Sequence, residues 1–383
     1  MSMIIEGNLV LPSEVRFGQL VVDGPLISRV VLDQSDFSTP NLRVPKGDFI
    51  SPGFIDLQIN GAFGKEFKSD SDAIDAITSQ LPRFGTTSIY PTVTTRELGS
   101  YSAYLTDLLA HYSHPAGTRI LGFHLEGPFL NPAKVGAQNA ALLKTPDECS
   151  YSDYVSNDVA IVTLSPELKG APTFIARLLR DGKRVGIGHS TVSYEEITEL
   201  FDPHQMMVVH VFNAMDGIQP RSPGLAGAAL DKDNYFVSLI VDGIHIDPVI
   251  VRITWKAKMD KNKVICITDG SAVTGLPEGT YTIGTRRIQR KADRAVLEGT
   301  TTLVGSVLTQ NVAARNLRAF TMCSLNEAVN AVSLNPATLM GREHEFGQLA
   351  PGTAADIVIH DDEFVIKQTF VGGTVVWSRS NDE

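Results

Sequence analysis

The stretch "GFIDLQING", residues 53–61, is an apolar run that ends in two amides, Gln58 and Asn60, and a glycine. A short apolar run closed by turn residues is the pattern of a strand buried on both faces, as in a parallel sheet. Seven more such runs follow it: "TTSIYPT", "TRILGFHLE", "VAIVTLSPE", "RVGIGHS", "MMVVHVFNA", "YFVSLIVDG" and "KVICITDG". Longer polar or amphipathic stretches separate them, and "APTFIARLLRDGK" and "SYEEITELF" carry helical spacing. Eight strands alternating with helices predict an α/β fold, a (β/α)8 TIM-type barrel over residues 51–345.

The two chain ends read differently. "MIIEGNLVL", "FGQLVVDG" and "LISRVVL" at the start, and "ADIVIHD", "IKQTFVGG" and "TVVWSRS" at the end, are short β-rich pieces. Together, residues 1–50 and 346–383 are expected to build one small β-sandwich-like domain. After the eighth barrel strand, "YTIGTRRIQRKADRAVLEGTTTLVGS" reads as an inserted β-excursion. The stretches "LTQNVAARNLRAF" and "LNEAVNAVSL" then read as closing helices.

The chain has 383 residues, 43% of them hydrophobic, enough to fill a sizeable core. Its net charge of −10 gives no basic face for a phosphate backbone, so nucleic acid is excluded as a partner. An anionic ligand would have to be held by a few local donors. No apolar run is long enough for a membrane helix, and "MSMIIEGNLV" lacks the features of a signal peptide, so no membrane partner is expected and the cytoplasm is the expected location. Cys149, Cys266 and Cys323 lack metal or disulfide spacing and read as reduced structural thiols.

Four polar residues fall where barrel strands end: Glu126 on the third, His189 on the fifth, His210 on the sixth and Asp269 on the eighth. Barrel active sites are assembled at the C-terminal ends of strands, so these side chains can meet although far apart in sequence. Two imidazoles and a carboxylate make a ligand set for a divalent metal that keeps an open position. Such a metal lowers the pKa of water and polarises a carbonyl, with Asp269 as proton acceptor and donor. Each residue also has a plain structural reading: a hydrogen-bonded core histidine, a helix cap, or a turn before Gly270. His124 shares a strand face with Glu126 and is read as a packing or orienting neighbour rather than a ligand.

The string "GFHLEGPFLNPAKVGA", with "PGFIDLQINGAFG", "GHS", "VVHVFNAM", "PGLAGAAL", "VDGIHI", "CITDG" and "LVGSVLT", resembles the N-acetylglucosamine-6-phosphate deacetylases of the amidohydrolase superfamily. The resemblance covers nearly the whole chain. It implies that Glu126, His189 and His210 hold the metal and that Asp269 is the acid/base. Asp269 would take a proton from the attacking water and return one to the departing amine, with no covalent enzyme intermediate. It also implies a sugar-phosphate site formed by Asn213, Ala214, Arg221, Asp242, Gly243, Ile244 and His245, with Ala137, Leu303, Val304 and Gly305 nearby. The implied partner is an amino-sugar phosphate. Similar proteins borrow the arginine from a neighbouring subunit, which implies a homodimer or homotetramer.

Two departures follow from the same resemblance. Many relatives carry a histidine that polarises the substrate carbonyl where this chain has Gln138, whose amide can still donate a hydrogen bond. Many also end the first strand in His-x-His, where Gln58 and Asn60 are poor ligands. One divalent ion per chain is therefore expected, zinc first, with iron(II), manganese or cobalt as alternatives. Three other functions stay open: deacetylation of N-acetylgalactosamine 6-phosphate, a cyclic-amide hydrolase, and a silent sugar-phosphate-binding protein. The cyclic-amide reading lacks a lysine on the fourth strand.

Overall fold

The computed structural model describes residues 2–380 apart from 69, 71, 114 and 115. All eight expected barrel strands are present: β1 (Phe54–Ile59), β2 (Thr86–Thr94), β3 (Phe123–Glu126), β4 (Val159–Leu164), β5 (Arg184–Ile187), β6 (Met206–Val208), β7 (Phe236–Leu239) and β8 (Val264–Cys266). Each pairs in parallel with the next, from β1 through β8. The ring closes through a single ladder bridge, Ile59 with Gly270, and through main-chain bonds from Asp269 N to Gln58 O (2.9 Å) and from Asn60 N to Gly270 O (2.8 Å). This is the TIM-type barrel, and the buried Ile, Val and Leu of its strands belong to one continuous core.

The strands are shorter than the apolar runs suggest. β5 stops two residues before His189, β6 two before His210, and β8 three before Asp269. At each of these three residues φ is positive, at 50°, 34° and 47°, which turns the chain out of the ladder. The run "TRILGFHLE" breaks at Gly122, where φ is 141°, into a short strand at Arg119–Ile120 and β3.

The helices follow their sequence signals. Ala171–Arg180 buries Ala171, Phe174, Ile175 and Leu178, one face at i, i+3, i+4 and i+7. Tyr194–Leu200 starts with a capping box in which the Ser193 hydroxyl and the Glu196 carboxylate satisfy each other's backbone N–H. Leu325–Val332 starts the same way with Ser324 and Glu327. The expected β-excursion is a three-stranded antiparallel sheet, Gly279–Ile283, Arg286–Arg290 and Ala295–Leu297, with a small core of its own around Ile288.

Strands from both chain ends share one further sheet. Its order runs Thr374–Ser378, Ile366–Val371, Ile357–His360, Phe49–Pro52, Met3–Val10, Val15–Asp23, Leu26–Val31, with Leu42–Arg43 also on Met3–Val10. The join between the ends is the antiparallel pairing of Ile357–His360 with Phe49–Pro52. Ile5, Leu20, Ile50, Ile357 and Phe370 form its core.

The seam between β1 and β8 is sparse in main-chain bonds, and a buried side chain reinforces it. Asp56 on β1 accepts from Thr268 Oγ1 (2.5 Å) and Thr268 N (3.2 Å), and from Gln58 N (3.2 Å). Burial pushes its carboxyl up to about 7, against the pull of those hydrogen bonds. The folded chain thus holds the proton more tightly than the unfolded one. The stabilisation is complete below the usual aspartate pKa and is lost as pH rises toward 7. Asp56→Asn should therefore gain on the wild type by a few degrees in Tm as pH goes from 5 to 8. A variant that loses ground over that range would contradict this.

Candidate active site

Glu126, His189 and His210 are buried, and their ligating atoms all lie within 4.8 Å of one another. His210 Nε2 is 3.2 Å and His189 Nε2 is 3.4 Å from Glu126 Oε1. Ligands of a tetrahedral ion at about 2.1 Å stand about 3.4 Å apart, so this spacing fits a divalent metal. The tautomer of His189 suits it too. Its Nδ1 donates to the Lys134 carbonyl (2.7 Å), so Nε2 is the nitrogen that an ion would take in the neutral ring. Burial pushes the Glu126 carboxyl up, but the hydrogen bonds and charges of the two imidazoles outweigh that and hold it well below its ordinary value. His189 is shifted upward: burial opposes its protonation, and Glu126 more than compensates.

Asp269 sits beside this group. Burial first, and then the Glu126 charge, raise its carboxyl above the usual range. The two amides of the opening stretch meet it. Asn60 Nδ2 donates to Asp269 Oδ1 at 2.6 Å, and Gln58 Nε2 donates to the same oxygen at 3.3 Å and to Glu126 Oε1 at 2.8 Å. An amide oxygen in that position would face carboxylate oxygens, so the N–H ends belong there, and a donor N–H cannot ligate a cation. Both amide bonds land on Oδ1, which leaves Oδ2 as the carboxylate oxygen for the cavity.

Gln138 approaches Glu126 from the other side. Thr95 N donates to Gln138 Oε1 at 2.8 Å, which turns Gln138 Nε2 toward Glu126 Oε2 at 3.0 Å. His124 takes no part in ligation. Its Nδ1 is bonded to the Leu57 carbonyl (2.9 Å) and its Nε2 to Thr163 Oγ1 (2.7 Å), and burial lowers its pKa to about 4.

A cavity of about 260 Å³ opens over these groups. Its walls include Ala137, Gln138, Asn213, Ala214 and His245, and the segment Leu303, Val304 and Gly305. Gly305 has φ of 57°, and a Cβ there would lie 2.8 Å from the Asp269 carbonyl oxygen, so only glycine lets this loop close on the site. Asp242 stands behind His245: its Oδ2 is 2.6 Å from His245 Nδ1, and its Oδ1 accepts from Ile244 N and His245 N, each at 2.8 Å. Burial works against protonation of His245, but the Asp242 hydrogen bond and charge raise its pKa. Arg221 is exposed in the turn between Gln219 and Ser222, and neither it nor Asp242, Gly243 or Ile244 lines the cavity. Glu66, Lys68 and Arg286 do line it, without any motif that marks them in the sequence.

A barrel that gathers a carboxylate, two imidazoles and an aspartate at its strand ends defines a class of metal-dependent hydrolase. A profile of the amidohydrolase family matches residues 49–376, and the chain belongs to that family of metal-dependent enzymes. The chain is 33% identical over 345 residues to the N-acetylglucosamine-6-phosphate deacetylase of Danio rerio, covering 86% of this chain and 85% of the relative. It is 29% identical over 331 residues to an N-acetylgalactosamine-6-phosphate deacetylase of Escherichia coli O157:H7, covering 85% and 87%. Among solved structures, a point mutant of N-acetyl-D-glucosamine-6-phosphate deacetylase from Mycobacterium smegmatis, in complex with N-acetyl-D-glucosamine-6-phosphate, superposes with a TM-score of 0.89. It is 25% identical, over 98% of this chain and all of that one. No helix among the described residues is long and apolar enough to cross a membrane.

If Asn60 positions Asp269, Asn60→Ala should lower kcat by about 10- to 100-fold, with KM and metal content moving less than about twofold. An unchanged kcat would show that Asp269 needs no such support.

Proposed function

We propose that this chain hydrolyses N-acetyl-D-glucosamine 6-phosphate to D-glucosamine 6-phosphate and acetate, an amino-sugar catabolic step. The observation that carries the reading is the closed group of Glu126, His189 and His210 with Asp269 beside it, in one cavity. Glu126, His189 and His210 would hold one divalent ion, with zinc favoured by the nitrogen-rich donor set. When bound, the ion supplies Lewis-acid polarisation and a lowered water pKa.

The remaining chemistry belongs to the chain's own residues. Asp269 accepts the proton of the attacking water at Oδ2, while Gln58 and Asn60 hold Oδ1. It then passes a proton to the amine as the C–N bond breaks. The raised pKa of Asp269 favours the first transfer, because a more basic carboxylate takes the water proton more readily. Gln138 spends one N–H on Glu126 and directs the other toward the acetamide oxygen. His245, braced by Asp242, offers a charged donor to the phosphate, and Asn213 and Ala214 line the sugar side. Arg221, exposed and outside its own cavity, serves a neighbouring subunit's phosphate site in a homodimer or homotetramer. The cytoplasm is the matching compartment.

Deacetylation of N-acetylgalactosamine 6-phosphate is the second reading, because a relative of similar coverage carries that name. Acetate release measured in parallel on both sugar phosphates decides between them. Release from neither substrate by metal-loaded protein would refute both. Asp269→Asn should lose about 10³-fold or more in kcat, and Gln138→Ala about 10²-fold in kcat/KM. An unchanged kcat/KM in Gln138→Ala excludes its role at the carbonyl. Mixing inactive Arg221→Ala with inactive Asp269→Asn should restore part of the activity, whereas no recovery would place Arg221 elsewhere.

A further inference from the structure

Two cations of the active-site cavity have no part in the chemistry above. Lys68 lies in the loop after β1, and Arg286 begins the middle strand of the inserted sheet. Arg286 forms an ion pair with Glu66, which ties the inserted sheet to the β1 loop. Arg96 fastens the same loop from outside. It donates to the Lys68 carbonyl (3.3 Å) and to Ser100 Oγ (2.8 Å), with its guanidinium 3.7 Å from the centre of the Tyr104 ring.

Lys68 is half-buried, and its ammonium forms no salt bridge with the described residues. Burial and then the Arg286 charge lower its pKa, and Glu66 only partly offsets them. Two cations, Arg286 and Arg96, thus act on Lys68 against the one carboxylate of Glu66, in a chain whose net charge is −10. A half-buried lysine on a cavity wall, with no salt bridge among the described residues, is costly to charge unless an anion meets it there.

Its place in the barrel says which anion. Lys68 follows β1, and Thr94, also on the cavity wall, ends β2. Asn213 and Ala214 follow β6 and His245 follows β7. In an eight-strand ring β2 stands opposite β6, with the ligand group and Asp269 between the two walls. This step rests on the proposed function: with the phosphate on the β6 and β7 wall, the acyl group of the substrate points to the facing wall of β2 and β3, and Arg96, two residues beyond Thr94, holds the Lys68 loop beside that wall. Hydrolysis adds the water oxygen to the acyl carbon, breaks the C–N bond and sends a proton to the amine. A neutral acyl group becomes a carboxylate inside the cavity whose wall carries Lys68.

We infer that Lys68 and Arg286 form a receiving site for the carboxylate product, a short-chain monocarboxylate such as acetate, distinct from the phosphate site. The site gives the newly formed anion a cation other than the metal group.

The test titrates 13C-labelled acetate into the metal-loaded protein and follows it by NMR, alongside acetate product inhibition. Lys68→Met keeps the side-chain stem and should weaken acetate about tenfold, the size of one charge-assisted hydrogen bond. Lys68→Arg should restore most of the affinity, and KM for the sugar phosphate should move less than about twofold in both variants. Acetate binding that is unchanged in Lys68→Met would overturn the site. So would a KM that rises in step with the acetate constant, which would assign Lys68 to the phosphate. Failure of the deacetylase reading shows separately, as absent acetate release from the wild type. The NMR titration still decides whether Lys68 binds a carboxylate.

Discussion

The Glu126 carboxylate is the constraint around which the rest of the site is arranged. It is 4% exposed, and a carboxylate so buried must be surrounded by donors or cations. Oε1 faces His189, His210 and Gln58, and Oε2 faces Gln138. These partners come from the ends of β1, β5 and β6 and from the segment after β3. One buried charge therefore draws together elements from across the barrel, and Gln58 extends the network to Asp269.

The chain reaches this arrangement by giving up regular strand geometry at the points of use. His189, His210 and Asp269 each have positive φ, a conformation that costs a residue with a Cβ roughly 1–2 kcal/mol. Three such residues in one site are held there by the barrel wall beneath and by close loops above, as Gly305 shows with its approach to the Asp269 carbonyl.

Much of this was legible in the sequence, for physical reasons. The eight strands could be read because a parallel barrel buries both faces of each, which leaves continuous apolar runs. Glu126, His189, His210 and Asp269 stood out jointly, because all four fall at the ends of such runs, where a barrel assembles its site, although each alone also has a structural reading. The amides Gln58 and Asn60 were legible mainly as missing histidines. Their part as donors to Glu126 and Asp269 depends on side-chain contacts between β1 and residues 68 and 209 to 211 positions away. Strand lengths were overestimated because the runs continue past the last ladder residues, Ile187, Val208 and Cys266, up to the residues where φ turns positive. Lys68 and Arg286 gave no signal at all, since a loop cation reads as a solvated charge until the fold sets it against a cavity.

The central claim is that a single ion on Glu126, His189 and His210 is sufficient, with Gln58 and Asn60 acting as donors rather than as ligands of a second ion. The direct measurement adds a divalent ion stepwise to metal-free protein while bound metal and acetate release are recorded together. The account predicts that activity rises linearly and levels off at one equivalent per chain. A plateau reached only at two equivalents, with both needed for turnover, would contradict it.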